Sequence, residues 1–177
     1  MIHRTLTAAL AGLLLTTGAA KAESVEVYLV DMLDNIQNGY CLDIAGGREA
    51  DADPADGLQA HTCYSPGGAI GVDQTFDTDR FAEGLFDMTE FDVCAEITWI
   101  DAGSALELAE CDGREAQGFT VSGEGMIVPA SAPDMCVTVG DDTRTGRSDT
   151  NQTKDLTLEA CDDDKAAFQT WSVRTVK

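Results

Sequence analysis

Positive charge is what this chain most lacks. It carries 11 Lys and Arg against 32 Asp and Glu, a formal net charge of −21. Binding nucleic acid takes cations facing phosphates, so nucleic acid is a poor partner. Anionic membranes and sulfated glycans are disfavoured for the same reason, whereas neutral glycans and cationic surfaces are not. Solubility or a salty habitat accounts for the acidity without any specific role. Histidine is nearly missing too: of two, His3 lies in the N-terminal leader, which leaves His61. A Ser-His-Asp or Cys-His site would have His61 as its one possible base. There is no close Cys-x-x-Cys pair, no Gly-rich phosphate loop and no zinc motif. Carboxylates for a glycosidase pair abound, but abundance selects none of them. The composition argues against an enzyme and implies no cofactor.

Long apolar runs are also missing, with one exception at the start. His3 and Arg4 form a short positive head, Thr5 to Ala20 carry no charge, and Ala20-Lys21-Ala22 is a small-x-small cleavage site. This order is the secretory signature. The uncharged run of 16 residues falls short of the roughly 18 to 20 that span a bilayer. Residues 1–22 are therefore expected to be a signal peptide, and the product exported to a periplasm or outside the cell. No Cys follows the cleavage site, which argues against a lipid anchor. The remainder, 23–177, has 155 residues (177 − 22) and 9 basic against 32 acidic side chains, a charge of −23. That length suits one domain with a real core. All six cysteines lie in it, an even number in an oxidising compartment, which indicates disulfides.

The most informative feature is internal repetition. The first copy reads Cys41-Leu-Asp-Ile, then Leu58-Gln-Ala-His-Thr-Cys63, then Asp73-Gln-Thr-Phe76. The second reads Cys94-Ala-Glu-Ile, then Leu106-Glu-Leu-Ala-Glu-Cys111, then Ala116-Gln-Gly-Phe119. The third reads Cys136-Val-Thr-Val, then Leu156-Thr-Leu-Glu-Ala-Cys161, then Phe168-Gln-Thr-Trp171. First cysteines are 53 and 42 residues apart and second ones 48 and 50, a period near 48. The copies fall at about 25–80, 81–124 and 125–177.

Period-two alternation in Val25 to Val30, Leu106 to Ala109 and Leu156 to Glu159 predicts short strands. Gly46-Gly47, Asp53-Pro54, Pro66-Gly67-Gly68 and Gly140-Asp141 predict turns. A helix of three turns has no place after the leader. Regular strands with such punctuation indicate an all-β sandwich or barrel. Six cysteines allow 15 pairings, and the repeat favours Cys41–Cys63, Cys94–Cys111 and Cys136–Cys161. Each closes a loop of roughly 20 residues, worth about 3 kcal/mol by loop entropy. A chain with 6% aromatics would benefit from such staples.

This pattern resembles the ricin-type β-trefoil lectins and carbohydrate-binding modules, whose three units each carry a Gln-x-Trp signature. The resemblance spans about 25–177 and implies a six-stranded barrel capped by three hairpins, with the signature aromatics near a pseudo-threefold axis. Phe76 and Phe119 depart from the Trp that Trp171 keeps, though a ring still fills each place. The interval from second Cys to Gln is uneven, at 11, 6 and 8 residues. The first copy thus has a longer loop, Tyr64 to Val72.

The resemblance also implies sugar binding in up to three shallow pockets. It places Asp43 as main hydroxyl acceptor, Gln59 assisting, His61 in the stacking position, and Asp73 in a slot usually held by Asn, followed by Gln74. An Asp in that slot accepts a hydroxyl but does not donate to one. His61 offers a smaller face than Trp or Tyr, and Tyr64 could supply the missing ring. Asp43 equally could hold a turn, and His61 could be an ordinary strand residue. Gln74, Gln117 and Gln169 recur in every copy, which suits buried structural staples. The second copy puts Glu96, Glu107, Ala109 and Ala116 in the corresponding places, and the third Thr138, Thr157, Glu159 and Phe168. Neither has a stacking ring, so one working pocket at most is expected. Trp99 is either surface packing or a contact. A protein-interaction or inhibitor role through loops 64–72 or 140–153 is the alternative, since fold alone does not exclude it. Asp51, Asp53 and Asp56 group three carboxylates without the EF-hand spacing. Like Asp141-Asp142 and Asp162 to Asp164, they suit solvated turns.

Overall fold

A computed structural model describes residues 23–175, apart from 70, 121–123 and 147. The expected signal peptide lies outside the described residues. The fold is all-β, with one α-helix of a single turn, Ala166–Gln169, among the described residues. The first repeat supplies β1 (Ser24–Leu29), β2 (Tyr40–Ile44), β3 (Leu58–Thr62) and β4 (Phe76–Asp77). The second supplies β5 (Asp87–Met88), β6 (Val93–Glu96), β7 (Ser104–Ala105), β8 (Glu107–Glu110) and β9 (Phe119–Thr120). The third supplies β10 (Glu124–Met126), β11 (Val128–Pro129), β12 (Met135–Thr145), β13 (Gln152–Ala160) and β14 (Thr170–Thr175).

The first and last strands described pair with each other. β1 pairs antiparallel with β14 from Val25↔Thr175 to Leu29↔Trp171, with β2 at Tyr28↔Cys41, and with β4 at Ser24↔Asp77 and Val25↔Phe76. Its alternation explains the strand, because Val25, Val27 and Leu29 all turn into the core. The Cys-bearing hairpins share one register. Cys41 lies opposite His61, Cys94 opposite Ala109 and Cys136 opposite Glu159. All three expected disulfides are formed, with Cα–Cα distances of 5.0, 4.9 and 5.0 Å.

The signature rings Phe76, Phe119 and Trp171 are all buried. Phe86 stands edge-on to Phe76 and Phe119 at centroid distances of 5.9 and 5.5 Å. Trp171 Nε1 donates to the Val137 carbonyl at 2.9 Å, a bond that the two Phe positions do not require. The two phenylalanines bring no N–H of their own that would need a buried partner.

One hairpin breaks the symmetry. β12 and β13 run 11 and 9 residues, against 5 and 5 for β2 and β3. Past a register shift between Val139 and Thr143 the ladder resumes to Thr145↔Gln152. The extension then pairs with the first repeat, Thr153↔His61 and Lys154↔Ala60. Segment 140–153 is thus strand over 140–145 and 152–153, where Gly140-Asp141 suggested a loop. Asp141 and Asp142 lie within β12, not in a turn.

Candidate functional site

Each signature Gln clamps the hairpin behind it in the same way. Gln74, Gln117 and Gln169 are fully buried. Their Oε1 atoms accept the backbone N–H just after the second cysteine: Tyr64 at 3.1 Å, Asp112 at 3.2 Å and Asp162 at 2.9 Å. Their Nε2 groups donate to the carbonyl just before it: Thr62 at 3.1 Å, Glu110 at 2.8 Å and Ala160 at 3.0 Å. The second amide hydrogen reaches Asp43 Oδ2 at 2.9 Å, Glu96 Oε2 at 3.4 Å or Thr138 Oγ1 at 2.9 Å. These amides are structural staples, as buried amides must be.

The first repeat adds charge to this frame. Asp43 is 1% exposed. Its other oxygen accepts from Gln59 Nε2 at 2.9 Å, across the β2–β3 pair. His61 Nδ1 stands 3.8 Å from Asp43 Oδ2 and 2.9 Å from the Thr62 carbonyl. Burial pushes the Asp43 carboxyl up to about 7, against the opposing pull of His61 and of the two glutamine amides. Asp73 is fully buried beside it. Its Oδ2 accepts from the Glu49 N–H at 2.7 Å, and the Tyr64 hydroxyl lies 3.5 Å away. Glu49 takes a left-handed φ of +51° to aim that N–H, a conformation L-residues disfavour. Asp73 Oδ1 is the one buried side-chain polar atom without a partner among the described residues. Burial holds the Asp73 carboxyl above the usual range, and the Tyr64 phenol is likewise raised. Gly71 makes the packing possible, since a Cβ there would lie 2.3 Å from the Tyr64 ring and 2.5 Å from Asp73 Oδ1.

A pocket of about 200 Å³ opens in front of this cluster, walled by Gln59, His61, Tyr64 and Arg48 of the first repeat. The opposite wall is the long hairpin of the third repeat, through Asn151 and Thr153. Asn151 Oδ1 meets His61 Nε2 at 2.8 Å, and the Gln152 N–H donates to Thr62 Oγ1 at 2.9 Å. The His61 and Tyr64 rings meet edge-on at 5.3 Å. His61 is 5% exposed, so it offers little ring surface to a ligand.

Solved structures similar to this one include lectins. The C-terminal domain of an earthworm lectin, a mutant bound to 6′-sialyllactose, superposes with a TM-score of 0.56 at 18% identity, covering 86% of this chain and 98% of that one. The fold is that of the ricin-type β-trefoil lectins. The β-trefoil lectin of the Vibrio vulnificus hemolysin/cytolysin, with N-acetyl-D-lactosamine bound, gives 0.53 at 13% identity, covering 89% and 98%. The hemolytic lectin CEL-III gives 0.56 at 16%, over 85% of this chain and 30% of that one. No family model matches the sequence, and no curated protein matches it.

Within this lectin fold, the expected site residues come together: Asp43, Gln59, His61, Tyr64, Asp73 and Gln74 form one hydrogen-bonded cluster. They divide by depth. Gln59, His61 and Tyr64 line the pocket, whereas Asp43, Asp73 and Gln74 stand buried behind it. Arg48 was not singled out by the sequence; Asn151 and Thr153 fall in segment 140–153, which the sequence offered for protein contacts and not for the sugar site. In the second copy Glu96 is engaged by Arg114 at 3.5 Å and Glu107 by the Thr98 hydroxyl at 2.7 Å. Asp53 caps a turn by accepting from the Ala55 N–H, and Asp162 does the same for Asp164. Trp99 is 70% exposed and does not belong to the core. Among the described residues no helix is long and apolar enough to cross a membrane.

Proposed function

We propose that this protein is an exported, single-domain, sugar-binding module of residues 23–177, with one pocket, in the first repeat, and no enzymatic activity of its own. The observation that carries the reading is the difference among the three repeats. At the same place in one frame, the first repeat sets a carboxylate braced by two amides and an imidazole behind an open pocket. The third sets a lone hydroxyl there, and the second a glutamate tied to an arginine. A concave site with a few fixed polar groups is what recognition of a small polar ring requires. The lectin fold and the three formed disulfides are consistent with a binding protein of an oxidising compartment. The net charge favours neutral sugars over sulfated ones at long range.

A broad glycan array with the oxidised mature protein tests this, run beside Gln59→Ala and Asp43→Ala. Binding to a defined sugar class that both variants lose, while near-UV circular dichroism shows them folded, is the expected result. Binding that survives both changes would move the site elsewhere. Protein recognition is the second reading. It draws on Trp99 and Ile36, which are 70% and 78% exposed. It predicts a protein partner retained by Asp43→Ala and lost by Trp99→Ala.

A further inference from the structure

The lining of the first-repeat pocket is at odds with the rest of the surface. Three other clefts all carry carboxylates. One beside Arg80 has Asp87, Asp92 and Glu110, one beside Arg114 has Glu83, Asp112 and Glu115, and one over 34–38 has Asp34 and Asp149. The first-repeat pocket has no carboxylate among its described lining residues, and its one permanently charged group is Arg48. We infer that this pocket takes a sugar bearing a carboxylate, of the uronic- or sialic-acid type, with Arg48 as its counter-charge. The inference rests on the pocket being the binding site proposed above.

The hydrogen-bonding inventory points the same way. The two carboxylates that would accept sugar hydroxyls are turned inward. Asp43 spends one oxygen on Gln59 and the other on Gln74, and Asp73 is fully buried. Facing the pocket, the acceptors are Gln59 Oε1, left over because Nε2 donates to Asp43, and the Thr153 hydroxyl, which also donates; the charged group is a donor. As donors, Arg48 offers a guanidinium, Thr153 a hydroxyl, and Asn151 its amide N–H₂, because its Oδ1 is turned to His61. A carboxylate needs donors alone, and a planar guanidinium fits it in two-pronged fashion. Arg48 contacts Glu49 at 3.5 Å, with the two side chains 65% and 58% exposed. Exposed pairs of this kind are weak, so an incoming carboxylate can displace Glu49. The overall negative charge slows the approach of an anion but does not forbid the contact, since its field is screened within about 8 Å at physiological salt.

The test is calorimetric titration of the oxidised mature protein with galacturonate- and sialate-terminated oligosaccharides. The same oligosaccharides with the carboxyl reduced to an alcohol, and a sulfated sugar of equal size, complete the set. The carboxylated forms should bind at least tenfold tighter than their reduced counterparts, and the preference should shrink as salt is raised. Arg48→Gln should cut the preference to twofold or less, Arg48→Lys should retain part of it, and Lys165→Gln, outside the pocket, should leave it intact. Equal or better binding of the reduced sugars, lost in Gln59→Ala, would overturn the inference and leave the site standing. Preference for the sulfated sugar, or insensitivity to Arg48→Gln, would overturn the carboxylate assignment. Failure to bind any sugar would sink the site reading itself.

Discussion

In the first repeat the signature glutamine donates to a buried carboxylate, and in the third it donates to a hydroxyl. The frame around the two is the same to the level of individual backbone groups: N–H after the second cysteine, carbonyl before it, partner two residues past the first. Only the last partner differs. Thr138 completes a neutral network that closes on itself and leaves nothing to recruit. Asp43 brings a charge that its surroundings must neutralise, and Gln59 and His61 gather around it for that purpose. In the first repeat a pocket opens in front of this carboxylate, walled by Arg48, Gln59, His61 and Tyr64. The third repeat contributes in another way, by sending its long hairpin across to form the far wall.

The sharpest way to break this comparison is to remove the staple from each repeat. Gln169→Leu leaves a hydroxyl, an N–H and a carbonyl short of one partner each, which should cost about 1–3 kcal/mol. Gln74→Leu does the same and also strips one of two amides from a buried carboxylate, so it should cost about 3–5 kcal/mol. Gln117→Leu should fall between them, since Glu96 keeps Arg114. Urea denaturation of the three variants checks the order. Equal losses would mean that the charge at Asp43 is not borne by the clamp.

Acidity provides the next separation. Burial lifts the Asp43 carboxyl from its unfolded range near 4 to about 7, so the folded state holds a proton that the unfolded state gives up. Stability associated with this group is therefore fully present below about pH 4 and is lost as pH rises through about 7. Asp73, lifted in the same direction, adds to the trend. In Asp43→Asn the slope between pH 4 and 7 should flatten by a few kcal/mol relative to wild type. Gln59, which lines the pocket, has room to turn its amide to suit the new partner. Thr138→Ser in the third repeat should leave the slope unchanged. A variant of Asp43 with the wild-type slope would show that the carboxylate is ionised throughout.

How much of this was legible in advance depends on the range of the contact. The cysteine pairs and the glutamine staples recur at regular intervals, so a repeat displays them directly. Phe in place of Trp hid nothing, because the ring and not the indole N–H is what the core at those two places uses. Asp43, Gln59 and His61 were named through the family resemblance, and they meet because they lie on two strands of one hairpin. Their depth was not legible, since period-two patterning says which face a side chain takes but not what another repeat lays over it. Asn151 reaches His61 across 90 residues, and no local pattern encodes such a contact. Gly140-Asp141 read as a turn because its composition is that of one. In the structure the β12–β13 ladder has its register shift at these residues, between Val139 and Thr143, and resumes beyond it.

The smallest expected effect concerns Asp73, which stands where the resemblance leads one to expect Asn. One of its oxygens has a backbone partner and the other has none, while burial opposes its charge. Asp73→Asn keeps an acceptor for the Glu49 N–H and removes the buried charge. At pH 7 this should stabilise the fold by about 1 kcal/mol, a rise of roughly 2–4 °C in Tm for a domain of this size. At pH 4 the gain should be smaller, because a carboxyl held above its usual range takes up its proton earlier as pH falls. Thermal melts at the two pH values decide it. A loss at both would mean that Oδ1 is satisfied in solution by something the substitution displaces, such as an ordered water, which would make Asp73 a built acceptor and not a strained one.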